Sequence, residues 1–280
     1  MDPYAEWYST PLTVEDWVAG GVPLLASAIF IPLYLNVVRI MAVSHKEIIG
    51  YRYVISSSLA DVLCMLIIDW IWFSMVAHYP IVAWSRFAAV KFPMWFGGQS
   101  LRQSYGVCLL TWLVPLIFVS STHWAPFMAL FYFEPAAYGM LVDDFVKYQT
   151  WGQFHAFIGI HIVAIIIPIV LYSWTIFLLL RVRRGAAPMD VASRGRQNIE
   201  RRLIAPCLLG TVVFVLGQVA ISIGMGTGRW GLWLICFLFF LNSALNVVFL
   251  VVFSPMIRSL SLPLEPLPPP GEVCSGALGQ

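Results

Sequence analysis

Asn36, Asp61, Asn242, Ser243 and Asn246 carry the chain's most chemically telling side chains, because each interrupts a run that is otherwise apolar. Asn242 and Asn246 are four apart and share one face of a helix. An aspartate and several amides turned toward one another inside an apolar bundle can hydrogen-bond between helices and so steer packing. They can also form a site coupled to conformational change or to an ion. Spacing alone leaves both readings open. Asp69, eight residues past Asp61 and near the same face, extends the second one to a cation or proton path. Catalysis has no comparable support. His155 and His161 are six apart and point in different directions, and the five cysteines form no zinc or redox spacing. No enzyme activity, metal or cofactor is expected.

The elements that position these residues follow from composition. The 280 residues are 60% hydrophobic and 15% aromatic but only 11% charged, with mean hydropathy +0.83. So few charges cannot build a water-facing surface, and the net charge of +2 hides their segregation into short loops. A polytopic membrane protein is the expected class, with lipid as its surroundings and no nucleic-acid partner. The flank MDPYAEWYST has no basic n-region, so no signal peptide is expected.

Uncharged windows between charges mark the spans, since a charge at the bilayer centre is costly. Trp17 to Val38, about Tyr105 to Pro126, Phe157 to Leu180, Leu203 to Gly228 and Gly231 to Phe253 each fit one helix. The window between Arg52 and Arg86 is the difficult one. Its 33 residues exceed one crossing and fall short of two.

Loop charge supplies parity. Asp2, Glu6, Glu15 and Asp16 with no basic residue place the N-terminus outside, and seven arginines against two acids between Arg181 and Arg202 place that loop inside. Counting back puts both Arg52 and Arg86 in the cytoplasm, so an even number of crossings joins them. The expected organisation is an extracellular segment 1–16, a helical bundle 17–258 and a proline-rich disordered cytoplasmic tail 259–280. The acidic loop FYFEPAAYGMLVDDFVKYQTWGQ is placed to cover a cavity between outer helix ends, with no cysteine to tether it. Trp17, Trp124, Trp151, Trp230 and Trp233 fall at outer span ends as belt residues, or line such a cavity.

The order of these features resembles the rhodopsin-like G-protein-coupled receptors, with a texture similar to the nematode serpentine chemoreceptors. Asn36 in LNVV resembles the first-helix asparagine, and Leu59, Ala60 and Asp61 the second-helix motif. SRFAAVKFP, Ser85 to Pro93, resembles the inner end of the third helix, and NSALNVVFLVVFSPMIR, Asn242 to Arg258, the last helix. Trp112 and Pro115 resemble the fourth helix and Pro168 the fifth. Val247 and Leu250 depart from that last motif, and CLLGTVVFVLGQVAIS lacks the sixth-helix motif. The outer cysteine pair is absent.

The resemblance implies an all-α, seven-helix rhodopsin-like bundle with six full-length spans and a truncated second and third helix region. It further implies a chemosensory receptor in a plasma or ciliary membrane, binding an unknown small extracellular molecule and signalling to a heterotrimeric G protein. In that scheme Asn36, Asp61, Asn242, Ser243 and Asn246 form the interior polar network. Arg86 holds the inactive state through Glu200, and Arg201 and Arg202 join the G-protein face. The competing expectation is a six-span cation or proton transporter using Asp61 and Asp69.

Overall fold

The computed structural model describes residues 5–46, 48–66, 69–124, 128–184, 204–224, 228–254 and 257. A short helix, α1 (Ala5–Ser9), precedes α2 (Val14–Ser44), α3 (Ile49–Leu66), α4 (Asp69–Lys91), a short α5 (Pro93–Gly97) and α6 (Leu101–Trp124). A hairpin of β1 (Phe131–Glu134) and β2 (Gly139–Val142) follows, with a 3-10 turn at Pro135–Ala137 between the strands. After it come a short α7 (Phe145–Thr150), α8 (Gln153–Arg184), α9 (Ile204–Gly224) and α10 (Gly228–Phe253). Seven of the described helices have 18 to 32 residues. Four of them, α2, α6, α8 and α10, are long and apolar enough over their described lengths to cross a membrane.

Burial inverts the pattern of a water-soluble bundle. Large apolar side chains on α2 and α8 are exposed, among them Leu24 at 71%, Ile29 at 67% and Phe177 at 60%. The polar residues Ser56, Ser58, Asp61, Ser74, His78, Ser85 and Arg86 are buried on α3 and α4. An apolar rim around a polar centre needs lipid as its solvent. The chain is a multi-pass membrane bundle. At its centre α4 packs against α3, α6, α8 and α9, while α10 closes the arrangement against α2, α3 and α9.

The difficult window holds two helices. Arg52 and Arg86, which the length argument treated as its ends, lie inside α3 and α4, so the pair runs from Ile49 to Lys91. At 18 residues α3 is the short member, about 27 Å long, whereas α4 at 23 residues nearly matches α6 at 24. Both arginines are buried and use backbone oxygens as partners. Arg52 donates to the carbonyls of His45, Lys46 and Gln99 and to Ser104 Oγ, and Arg86 donates to the Gly50 carbonyl at 3.0 Å. They therefore lie at one end of the bundle. The hairpin and α1 sit at the other, where Gly139 packs so close to α10 that a Cβ would stand 2.8 Å from Leu232 Cβ.

Candidate functional site

Asp61 is buried on α3, and burial of a carboxyl group costs several kcal/mol unless its oxygens find partners. Asn246 Nδ2 donates to Asp61 Oδ2 at 3.2 Å, and Tyr34 Oη lies 3.0 Å from the same oxygen. Tyr34 also donates to the Ser243 carbonyl at 2.5 Å. A phenol has a single hydrogen, so Tyr34 stands between two acceptors that compete for it. Asn242 Nδ2 donates to Tyr79 Oη at 2.6 Å, and Ser243 Oγ to Met75 Sδ at 3.2 Å. These bonds tie α2, α3, α4 and α10 together.

Two acceptors in the group, Asp61 Oδ1 and Asn242 Oδ1, are buried without a hydrogen-bond partner. A cavity of about 40 Å³ touching Ser57, Ser58, Asp61, Tyr79 and Asn246 lies beside them. It has room for a water molecule or a small cation. Gly210 on α9 makes the close fit possible, because a Cβ there would overlap Asn246 Oδ1.

Of the residues the sequence singled out, Asp61, Asn242, Ser243 and Asn246 meet here. Asn36 does not: it is half-buried, with no hydrogen bond to Asp61 or Asn246, and Tyr34 holds the position on α2 that reaches them. Glu200, Arg201, Arg202 and the side chain of Asp69 lie outside the described residues. Arg86 is 0% exposed.

A second polar group escaped the sequence reading. His78 Nε2 is 2.8 Å from Ser56 Oγ and 3.1 Å from Thr111 Oγ1, and its Nδ1 is 2.6 Å from the Ser74 carbonyl. Trp112 Nε1 donates to Ser56 Oγ at 3.1 Å. This cluster staples α3, α4 and α6. The sequence signal was a histidine and serines recurring inside apolar runs.

The hairpin end holds a space of about 350 Å³ between α2, α3 and α10 and beneath α1 and the hairpin. Asp16 closes it. Its Oδ1 accepts from Tyr138 Oη at 2.5 Å, Trp7 Nε1 at 2.9 Å and Arg229 Nη2 at 3.2 Å. Thr13 caps α2 reciprocally with Asp16, fixing the carboxylate on the first turn ahead of the uncharged stretch. Hydrogen bonds from Thr13, then Tyr138 and Trp7, hold the Asp16 carboxyl well below the usual carboxylate range. Burial, then the bond to Asp16, pushes the Tyr138 phenol up to about 12. Arg229 also donates to the Ala136 carbonyl at 2.6 Å and lies 4.2 Å from the Tyr138 ring centre, and Tyr8 donates to Glu134 at 2.6 Å. The acidic loop is thus a pinned hairpin, held by polar contacts where no disulfide can form. Of the tryptophans expected in the belt or along such a cavity, Trp233 lines this space and donates to the Ala19 carbonyl, while Trp17 and Trp151 are exposed.

Cys64 on the cavity wall lies three residues from Asp61, and Phe239 on that wall lies three and four residues before Asn242 and Ser243, one turn away on α10. The cavity therefore stacks directly on the polar group. Among the described residues no set of three His, Cys, Asp or Glu is arranged to hold a metal.

Comparison with solved structures gives the fold a relative. The chain is similar to the crystal structure of squid rhodopsin, with TM-score 0.66 and 13% identity, over 93% of this chain and 88% of that one. At that identity the likeness is one of fold: the helical bundle is arranged broadly as in rhodopsin. No family model matches the chain, and no curated protein sequence does.

Proposed function

We infer that the chain is a seven-span chemosensory receptor, with its hairpin end outside the cell and its arginine end toward a heterotrimeric G protein. A small extracellular molecule occupies the cavity under the hairpin, and its differential affinity for two arrangements of α2, α3 and α10 shifts their populations. The observation that carries the reading is the stacking of that cavity on the Asp61–Asn246–Tyr34–Ser243 group, which joins the same three helices. Arg86, now bonded to the Gly50 carbonyl, is the group to be released at the inner end. The arginine-rich residues 181–202, including Glu200, Arg201 and Arg202, supply the G-protein face. The chemistry of the nematode serpentine receptors is the nearest pattern, and a plasma or ciliary membrane the expected location.

The test is nucleotide exchange on a panel of heterotrimeric G proteins by the full chain in nanodiscs, screened against volatile and lipophilic compounds. Ligand-dependent exchange that is lost in Asp61→Asn is the expected result. Cation flux in proteoliposomes, abolished by Asp61→Asn and accompanied by no exchange, overturns the reading in favour of a transporter.

A further inference from the structure

The polar atoms lining the 350 Å³ cavity are almost all committed to protein partners. Asp16 accepts five hydrogen bonds: from Trp7, Tyr138 and Arg229 on Oδ1, and from the Thr13 backbone N–H and hydroxyl on Oδ2 at 2.7 Å each. Those bonds use the Trp7 indole and the Tyr138 phenol as well. The Trp233 indole donates to the Ala19 carbonyl at 2.8 Å. The remaining lining side chains are aliphatic and aromatic carbon with the thiols of Cys64 and Cys236 and the thioether of Met65.

We propose that this cavity takes a neutral, predominantly apolar molecule of about ten to fifteen non-hydrogen atoms and discriminates against amines. The inference rests on the receptor reading and names its ligand class. An ammonium group seated here would need Asp16 as counter-charge, and Arg229 already holds that carboxylate at 3.2 Å. An added ammonium would have to compete for a carboxylate that already takes five donors, the Arg229 guanidinium among them. A neutral guest meets no such conflict and gains ring contacts in a space without free polar groups.

The site carries its own reporters. Cys236 lines the cavity, whereas Cys207, similarly half-buried, does not. A Cβ at Gly20, also on the wall, meets nothing within 4 Å, so Gly20→Leu fills the space without a backbone clash. The full chain in nanodiscs is treated with N-ethylmaleimide and alkylation of each cysteine is followed by mass spectrometry, with thermal stability measured in parallel. The probes are 2-acetylnaphthalene, which is neutral, and 1-(2-naphthyl)ethylamine, a cation of the same skeleton.

At ten times its dissociation constant the ketone is expected to slow Cys236 alkylation about tenfold, leave Cys207 unchanged and raise the melting temperature. The amine does neither. Gly20→Leu slows Cys236 without any probe and removes both effects of the ketone. Equal protection by the amine, or a ketone that changes neither alkylation nor stability, overturns the proposal. Neither readout uses a G protein, so a failed exchange assay sinks the receptor reading separately.

Discussion

Tyr34 and Ser243, 209 residues apart, are joined by a 2.5 Å hydrogen bond from the phenol to the backbone carbonyl. The same phenol lies 3.0 Å from Asp61, so one hydrogen serves the carbonyl of α10 or the carboxyl of α3. Tyr34→Phe removes the choice and leaves a buried carbonyl and a carboxyl oxygen short of a donor. The expected loss is about 1 kcal/mol, or about 2–4 °C in melting temperature. Under the receptor reading basal nucleotide exchange changes as well. A variant with unaltered stability and unaltered exchange shows that the bond carries no weight.

Gly210 and Gly217 provide a matched pair on α9. A methyl at Gly210 overlaps Asn246 Oδ1, while one at Gly217 meets nothing within 4 Å. Gly210→Ala is expected to destabilise by about 1–3 kcal/mol through overpacking, and Gly217→Ala to stabilise by about 0.5–1 kcal/mol through helix propensity. Melting temperatures in one detergent compare them. The same sign for both substitutions counts against the Asn246 contact.

His78→Leu tests the staple across α3, α4 and α6. The substitution leaves Ser56, Thr111 and Trp112 around an apolar side chain, and the expected cost is about 1–3 kcal/mol. Differential scanning fluorimetry measures it. His78→Asn, which restores polar atoms near the hydroxyls, should recover part of the loss; recovery no better than with leucine removes the hydrogen-bonding explanation.

The contact among Asp16, Tyr138 and Arg229 has a defined pH window. Asp16 is depressed in the folded chain, so its contribution is complete above the unfolded carboxyl value of about 4 and is lost as pH falls below it. Tyr138 is raised to about 12, so its contribution is complete below the unfolded phenol value of about 10 and is lost as pH rises through 12. Between these limits hydrogen exchange of the hairpin, corrected for intrinsic rates, should not vary with pH. Arg229→Gln should speed exchange at Phe131–Val142 several-fold throughout that range. A step in protection near neutral pH would show that some other group controls the hairpin.

Asp61, Asn242, Ser243 and Asn246 could be read from sequence because a carboxyl or amide in an apolar helix has few stable places except against another polar group. Tyr34 could not, since a tyrosine suits lipid, interface and core alike and nothing local marks it. Charges misled where their side chains had somewhere to go. Arg52 and Arg86 reach backbone carbonyls near a helix end, so each helix continues past its arginine and a window cut at the charge is too short. The hairpin was concealed differently. Its strands are four residues each, and Asp16 meets Arg229 across 213 positions, a pairing that no spacing rule exposes.

The four described cysteines form no disulfide, and the polar contacts that fasten the hairpin to α1, α2 and α10 come from two phenols, two carboxylates, a guanidinium and a backbone carbonyl. Folding of that cover is therefore indifferent to redox conditions. Dithiothreitol can be kept in every buffer without opening it, and a production host needs no disulfide-forming machinery to close it.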